Sequence, residues 1–195
     1  MSAAGLILAA GESRRMGSPK ALLRYGQETF LDTLTALFGQ RCSTVTVVLG
    51  AHAAEIRAAA TRPATFVVNP DYARGMTTSM QCGLRAIPPD ADGVLFTLVD
   101  HPAASPATLD ALLAPLDPDH PPLVRVPRYH SKRGHPIWFS RLLVPDFLAL
   151  PPNGAAREVV RRYVNRTEFS DLDDPGVVAD IDSPEDYRAL LGARA

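Results

Sequence analysis

The stretch Gly5-Leu6-Ile7-Leu8-Ala9-Ala10-Gly11-Glu12-Ser13-Arg14-Arg15-Met16-Gly17-Ser18-Pro19-Lys20 decides the fold. Gly5 to Leu8 is a short apolar run closing in small residues, the pattern of a central parallel strand buried on both faces. The loop after it holds Gly11 and Gly17, which let backbone N–H groups approach an anion closely. Arg14, Arg15 and Lys20 supply positive charge, Lys20 as a mobile point charge. The order GxxxxGK[ST] is absent, so this is not a P-loop. A solvated glycine turn with ordinary surface cations has the same composition, and the loop alone leaves both readings open.

Downstream, strand and helix patterns alternate. Thr44 to Leu49, Thr65 to Asn69 and Gly93 to Val99 are β-branched or apolar runs of strand length. Thr29 to Phe38 has apolar residues at helical spacing, and His52 to Ala60 is helical by composition. Pro19 to Leu23 can open a helical turn. Thr77 to Ile87 reads as a helix with Thr77 or Thr78 as N-cap and a stop at Pro88-Pro89. Ser105-Pro106 is a cap followed by proline at the first helical position, for a helix reaching about Leu113. Leu123 to Val126, Pro136 to Phe139 and Val177 to Ile181 are expected as short strands. Arg141 to Leu150 and Ala155 to Val164 are expected as helices. Ser183-Pro184-Glu185-Asp186 opens the last helix, with acids in its first turn. The alternation predicts an α/β fold, a mostly parallel central sheet with helices on both faces. Ligands of such sheets sit beyond the C-terminal strand ends, where the first loop and Asp100 both fall.

The chain has 195 residues, read as one domain spanning 1–195, with no repeat, low-complexity tract or linker-like charge run. Twenty basic and 21 acidic residues leave a net charge of −1, which argues against nucleic acid as partner. Cys42 and Cys82 lack CxxC spacing and a ligand cluster, so they read as reduced thiols rather than a zinc site. No apolar run reaches the ~18 residues of a membrane span. Met1 to Ala10 has no basic leader region and reads as a strand rather than a signal peptide, so a soluble cytoplasmic protein is expected. The 18 prolines cluster at 102–136 and 145–152 and predict loops and short strands there.

Leu8-Ala9-Ala10-Gly11, Ser13, Arg15-Met16-Gly17 and Pro19-Lys20-Ala21-Leu22-Leu23 together resemble the LAAGxSxRMGxPKxLL signature of the MobA-like nucleotidyltransferases. Within that family the resemblance is to the molybdenum cofactor cytidylyltransferases. The guanylyltransferase branch reads Leu-Ala-Gly-Gly at this point, and Ala10 tilts the base toward cytidine. Four further elements follow in family order. Gly75 to Leu84 is similar to GMxxSLxxGL. Asp100-His101-Pro102 is similar to Asp-Met-Pro, with His101 in place of methionine. Arg133-Gly134-His135-Pro136 resembles RGHP, and Asp180 to Tyr187 resembles DIDTPEDY. Asn153-Gly154-Ala155-Ala156-Arg157 only partly resembles GDxGAR, lacking its acidic residue.

The resemblance implies the three-layer Rossmann-like fold of the nucleotide-diphospho-sugar transferases. It implies transfer of CMP from CTP to molybdopterin with release of pyrophosphate and dependence on Mg²⁺. Leu8, Ala9, Ala10, Gly11, Arg15, Lys20, Gly75 and Ser79 are the candidate nucleotide-binding residues. Arg15, Lys20 and Asp100 are the candidate catalytic residues. Asp100, at a strand end, is the candidate Mg²⁺ ligand, because Mg²⁺ prefers carboxylate, phosphate and water oxygens. The resemblance makes Asp182 its partner, the alternative being a turn or cap residue before the last helix. His135 and Arg157 are the candidate acceptor-binding residues, against a structural histidine and a surface salt bridge. His101 reads as an inert replacement or, alternatively, as an added ligand or base. A molybdenum hydroxylase apo-enzyme is an implied recipient of the product. Two alternatives stand: GTP or a sugar or alcohol phosphate as substrate, and a non-catalytic nucleotide- or cofactor-binding carrier.

Overall fold

A computed structural model describes residues 2–192. Met1 and residues 193–195 of the expected domain lie outside the described residues.

The first strand, β1 (Ala3–Ala9), is buried along its whole length. It is flanked in parallel by β4 (Thr44–Leu49) and β6 (Gly93–Leu98). Its side chains alternate between two cores. Ala3, Ile7 and Ala9 join a cluster with Phe30, Leu34, Phe38, Ile56 and Leu109. Ala4, Leu6 and Leu8 join the opposite cluster, with Met80, Leu84, Phe147 and Val159. The period of two along a strand therefore produces three layers. One helical layer contains α1 (Phe30–Gly39), α2 (Ala53–Ala59), α4 (Pro106–Leu112) and α7 (Pro184–Gly192). The other contains α3 (Met76–Ala86), α5 (Val144–Leu148) and α6 (Ala156–Arg162).

The remaining sheet strands are β5 (Thr65–Val68), β7 (Val124–Tyr129), β8 (Lys132–Arg133), β9 (Ile137–Ser140) and β10 (Thr167–Asp171). The order is β10-β7-β9-β6-β1-β4-β5, with β8 paired to β7. All pairings along this order are parallel except those of β9, which runs antiparallel to both β6 and β7. A separate hairpin joins β2 (Arg24–Tyr25) to β3 (Glu28–Thr29).

Local chemistry explains the helix starts. Thr29 caps α1 by accepting from Asp32 N at 3.0 Å, and Ser105 caps α4 by accepting from Thr108 N at 3.3 Å. The expected Thr77 or Thr78 cap of α3 is corrected. The helix begins one residue earlier, at Met76, after Gly75 at φ 125°. Thr78 turns its hydroxyl back to the carbonyls of Gly75 (2.8 Å) and Asp71 (3.0 Å). The expected strand Val177 to Ile181 is also corrected. Asp174 Oδ1 accepts from Gly176 N at 2.9 Å and starts a 3-10 turn over Pro175–Val178. The expected helices at 141–150 and 155–164 are shorter and are flanked by 3-10 turns. Among the described residues no helix is long and apolar enough to cross a membrane.

Candidate functional site

The loop after β1 is folded by Ser13. Its backbone is left-handed (φ 53°), and its carbonyl accepts from Met16 N (2.9 Å) and Gly17 N (3.2 Å). Gly17 is left-handed as well (φ 72°), a conformation that glycine tolerates without strain. The Ser13 hydroxyl accepts from Lys20 N at 3.0 Å. Ser13 thus fixes the backbone from which the Lys20 side chain departs, a role its place in the motif did not reveal.

Lys20 Nζ lies between two carboxylates, 3.1 Å from Asp100 Oδ2 and 2.6 Å from Asp182 Oδ1. Asp100 follows β6, and Asp182 precedes α7. The two segments are joined where Ile181 N donates to Asp100 O at 2.9 Å. Arg15 donates to Asp182 Oδ2 at 2.7 Å. Hydrogen bonds from Lys20 and Arg15 hold the Asp182 carboxyl below its ordinary range. Asp182 is therefore not the cap of α7. That role falls to Ser183, whose hydroxyl accepts from Asp186 N at 3.2 Å, while Asp186 reaches back to Asp182 N and Ser183 N.

Two adjoining cavities meet here. The first, about 320 Å³, is lined by Leu8, Ala9, Ala10, Gly11, Arg15, Lys20, Ser79, Asp100 and Asp182. It gathers every candidate nucleotide-binding residue except Gly75, which precedes the lining residue Met76. Ser79 is buried, and its hydroxyl accepts from Asn69 Nδ2 at 3.0 Å. The second cavity, about 430 Å³, is lined by His135 and Arg157 together with Phe96, Ile137, Phe147, Arg133 and Arg161. Met76 and Leu98 belong to both walls. The sequence did not single out Tyr72 or Leu98, which carry no charge and no motif position, and Met76 entered only within the segment similar to GMxxSLxxGL.

Arg157 and Arg161 have no ion pair among the described residues, and Arg133 stacks on the Phe169 ring at 4.6 Å. The His135 ring packs against Phe96 (5.7 Å) and His101 (4.8 Å). Burial, reinforced by His101, pushes the His135 imidazole down to about 4, so it is neutral at pH 7. Burial lowers His101 too, and its Nε2 lies 3.8 Å from Asp100 Oδ1.

The acidic pair fits a hard divalent cation. Asp100 Oδ1 is buried without a hydrogen-bond partner, and an ammonium already bridges the two carboxylates. His101 does not complete a larger ligand set. Among the described residues no group of three or more His, Cys, Asp or Glu side chains is arranged to hold a metal.

Residues 5–167 match the model of the MobA-like NTP transferase domain. The chain is 32% identical to a nicotine blue oxidoreductase of Paenarthrobacter nicotinovorans, covering 96% of this chain and 95% of that one. It is 28% identical to the molybdenum cofactor cytidylyltransferase of Escherichia coli K12, covering 93% and 92%. The solved structure of a manganese complex of Rv0371c from Mycobacterium tuberculosis H37Rv superposes with a TM-score of 0.82 at 30% identity, covering 98% of each chain. The chain belongs to the MobA-like NTP transferase family and is a nucleotidyltransferase.

Proposed function

We propose that the protein transfers CMP from CTP to a phosphate-bearing acceptor of the molybdopterin type. The observation that carries this reading is the seam between the cavities. One has small residues and cations for a triphosphate, the other has apolar walls and arginines for a second anion, and Asp100 and Lys20 lie on the first. An acceptor phosphate oxygen bonds to the α-phosphorus, the bond from that phosphorus to the β-phosphate bridging oxygen breaks, and pyrophosphate leaves.

Lys20 and Arg15 neutralise charge that grows on the phosphates. Asp100 and Asp182 would hold Mg²⁺, which adds charge neutralisation at the phosphoryl oxygens. Leu8 to Gly11 and Ser79, with Gly75 behind Met76, would bound the nucleoside. Arg157 would pair with the acceptor anion and His135 would wall its pocket as a neutral ring. Ala10 and the cytidylyltransferase relative support cytidine. A molybdenum hydroxylase as recipient of the product rests on the acceptor assignment alone.

The nicotine blue relative suggests oxidoreduction as a second chemistry. The Asp100–Lys20–Asp182 constellation favours nucleotidyl transfer, because hydride transfer needs no carboxylate pair for a metal. The test is pyrophosphate release from CTP, GTP, ATP and UTP, with and without Mg²⁺ and molybdopterin, in wild type and Asp100→Asn. CTP-dependent release lost in the variant supports the proposal. Release with GTP alone overturns the base, and no release from any triphosphate overturns the reaction.

A further inference from the structure

Lys20 Nζ lies between the two carboxylates that would hold a metal. Its ammonium is within 3.1 Å of both carboxylates. Its side chain is only 13% exposed. Its backbone is held by Ser13 Oγ and by the bond from Leu23 N to Lys20 O at 3.1 Å, so only the flexible stem can move. With Arg15 on Asp182 Oδ2, two cations balance two carboxylates. Three of the four carboxylate oxygens already accept from Lys20 or Arg15, and only Asp100 Oδ1 is without a hydrogen-bond partner. A divalent ion held by both carboxylates would therefore lie within a few ångströms of the Lys20 ammonium, where repulsion in a half-buried site is large.

We infer that Lys20 is the resident counter-ion of the carboxylate pair and must withdraw from it before a divalent metal binds. The vacated ammonium then needs new acceptors. The triphosphate is the candidate, since Lys20 lines the same cavity. Metal alone leaves Lys20 without a partner and adds positive charge to a balanced cluster. Metal arriving with a triphosphate restores the balance and gives Lys20 oxygens to hold. The protein therefore binds free metal weakly by construction, and Lys20 sets that threshold. The inference rests on reading Asp100 and Asp182 as the metal ligands.

The experiment is a titration of the intact protein with Mn²⁺ alone, reading free Mn²⁺ by electron paramagnetic resonance at low ionic strength. Lys20→Met is expected to bind Mn²⁺ about tenfold more tightly than wild type. Lys20→Arg, which keeps a cation there, stays near wild type. Asp100→Asn and Asp182→Asn lose the tight site in both backgrounds. Unchanged or weaker binding by Lys20→Met, with Asp100→Asn still abolishing it, overturns the inference and leaves the metal site standing. Mn²⁺ binding indifferent to both aspartates removes the metal site and the inference together. A second measurement uses wild type only: limited acetylation read by mass spectrometry. Saturating Mn²⁺ should speed modification of Lys20 severalfold by freeing its ammonium, and an unchanged or slower rate overturns the proposal.

Discussion

Arg15 and Asp182 are 167 residues apart in sequence and 2.7 Å apart in space. Their bond ties the loop after β1 to the segment before α7 and leaves Asp182 Oδ1 to Lys20. Asp182→Asn removes one carboxylate charge while keeping the shape. Pyrophosphate release should fall about a hundredfold or more, the scale of losing one charge-stabilising group. Arg15→Met should mainly raise the KM for the nucleoside triphosphate. Steady-state kinetics checks both, and an Asp182→Asn enzyme with wild-type kcat would refute the role given to that carboxylate.

Arg157 lines the second cavity and not the first. Arg157→Ala should therefore raise the acceptor KM about tenfold, the scale of one charge-assisted contact. The KM for the nucleotide should stay within twofold. A matching rise in the nucleotide KM would show that the two cavities do not divide the substrates in this way.

Gly134 packs directly against the Val177 carbonyl, and a methyl group there would overlap it. The neighbouring bond from His135 N to Val177 O is 2.8 Å, so neither strand end nor turn can yield easily. Gly134→Ala should lose about 2–3 kcal/mol of stability by overpacking. Chemical denaturation measures it, and a loss under 0.5 kcal/mol would contradict the packing argument.

His135 gives the protein a pH dependence of stability. In the unfolded chain its imidazole gains a proton near 6.5, and in the folded protein only near 4. Between those values the unfolded state binds more protons, so stability is complete above about 6.5 and falls as pH drops toward 4. The slope from this one group is at most about 1.4 kcal/mol per pH unit. His101 and Asp100 are the titrating groups facing it, and His101 adds a slope of the same sign. The informative quantity is therefore the difference between wild type and His135→Gln. The variant should show the flatter denaturation profile from pH 6.5 to 4, and parallel profiles would disprove the assignment.

The central strands and α4 were legible because their signals are local. An apolar run buried on both faces marks β1, and a serine before a proline marks α4. The strand β10 was missed because Thr167–Asp171 is a polar edge strand with Phe169 as its one large apolar residue. Val177 to Ile181 has strand composition, but Asp174 and Pro175 commit the chain to a turn that composition does not report. In the site, the first loop announced itself through its glycines and cations. Asp182 did not, because a pairing across 162 residues has no period to detect, and the family resemblance alone pointed to it. Nothing in the sequence showed that Lys20 would lie between the aspartates rather than face open cavity.

The bond from Ile181 N to Asp100 O brings the second carboxylate to a sheet that earlier segments have already built. The segments that form all seven strands of the sheet order end at Asp171, before Asp182. Without the docked segment, Asp100 would be the one carboxylate left to Lys20 of the two it now contacts. The charge cluster thus depends on a segment that adds no strand to the sheet, so the sheet and the site are separable in principle.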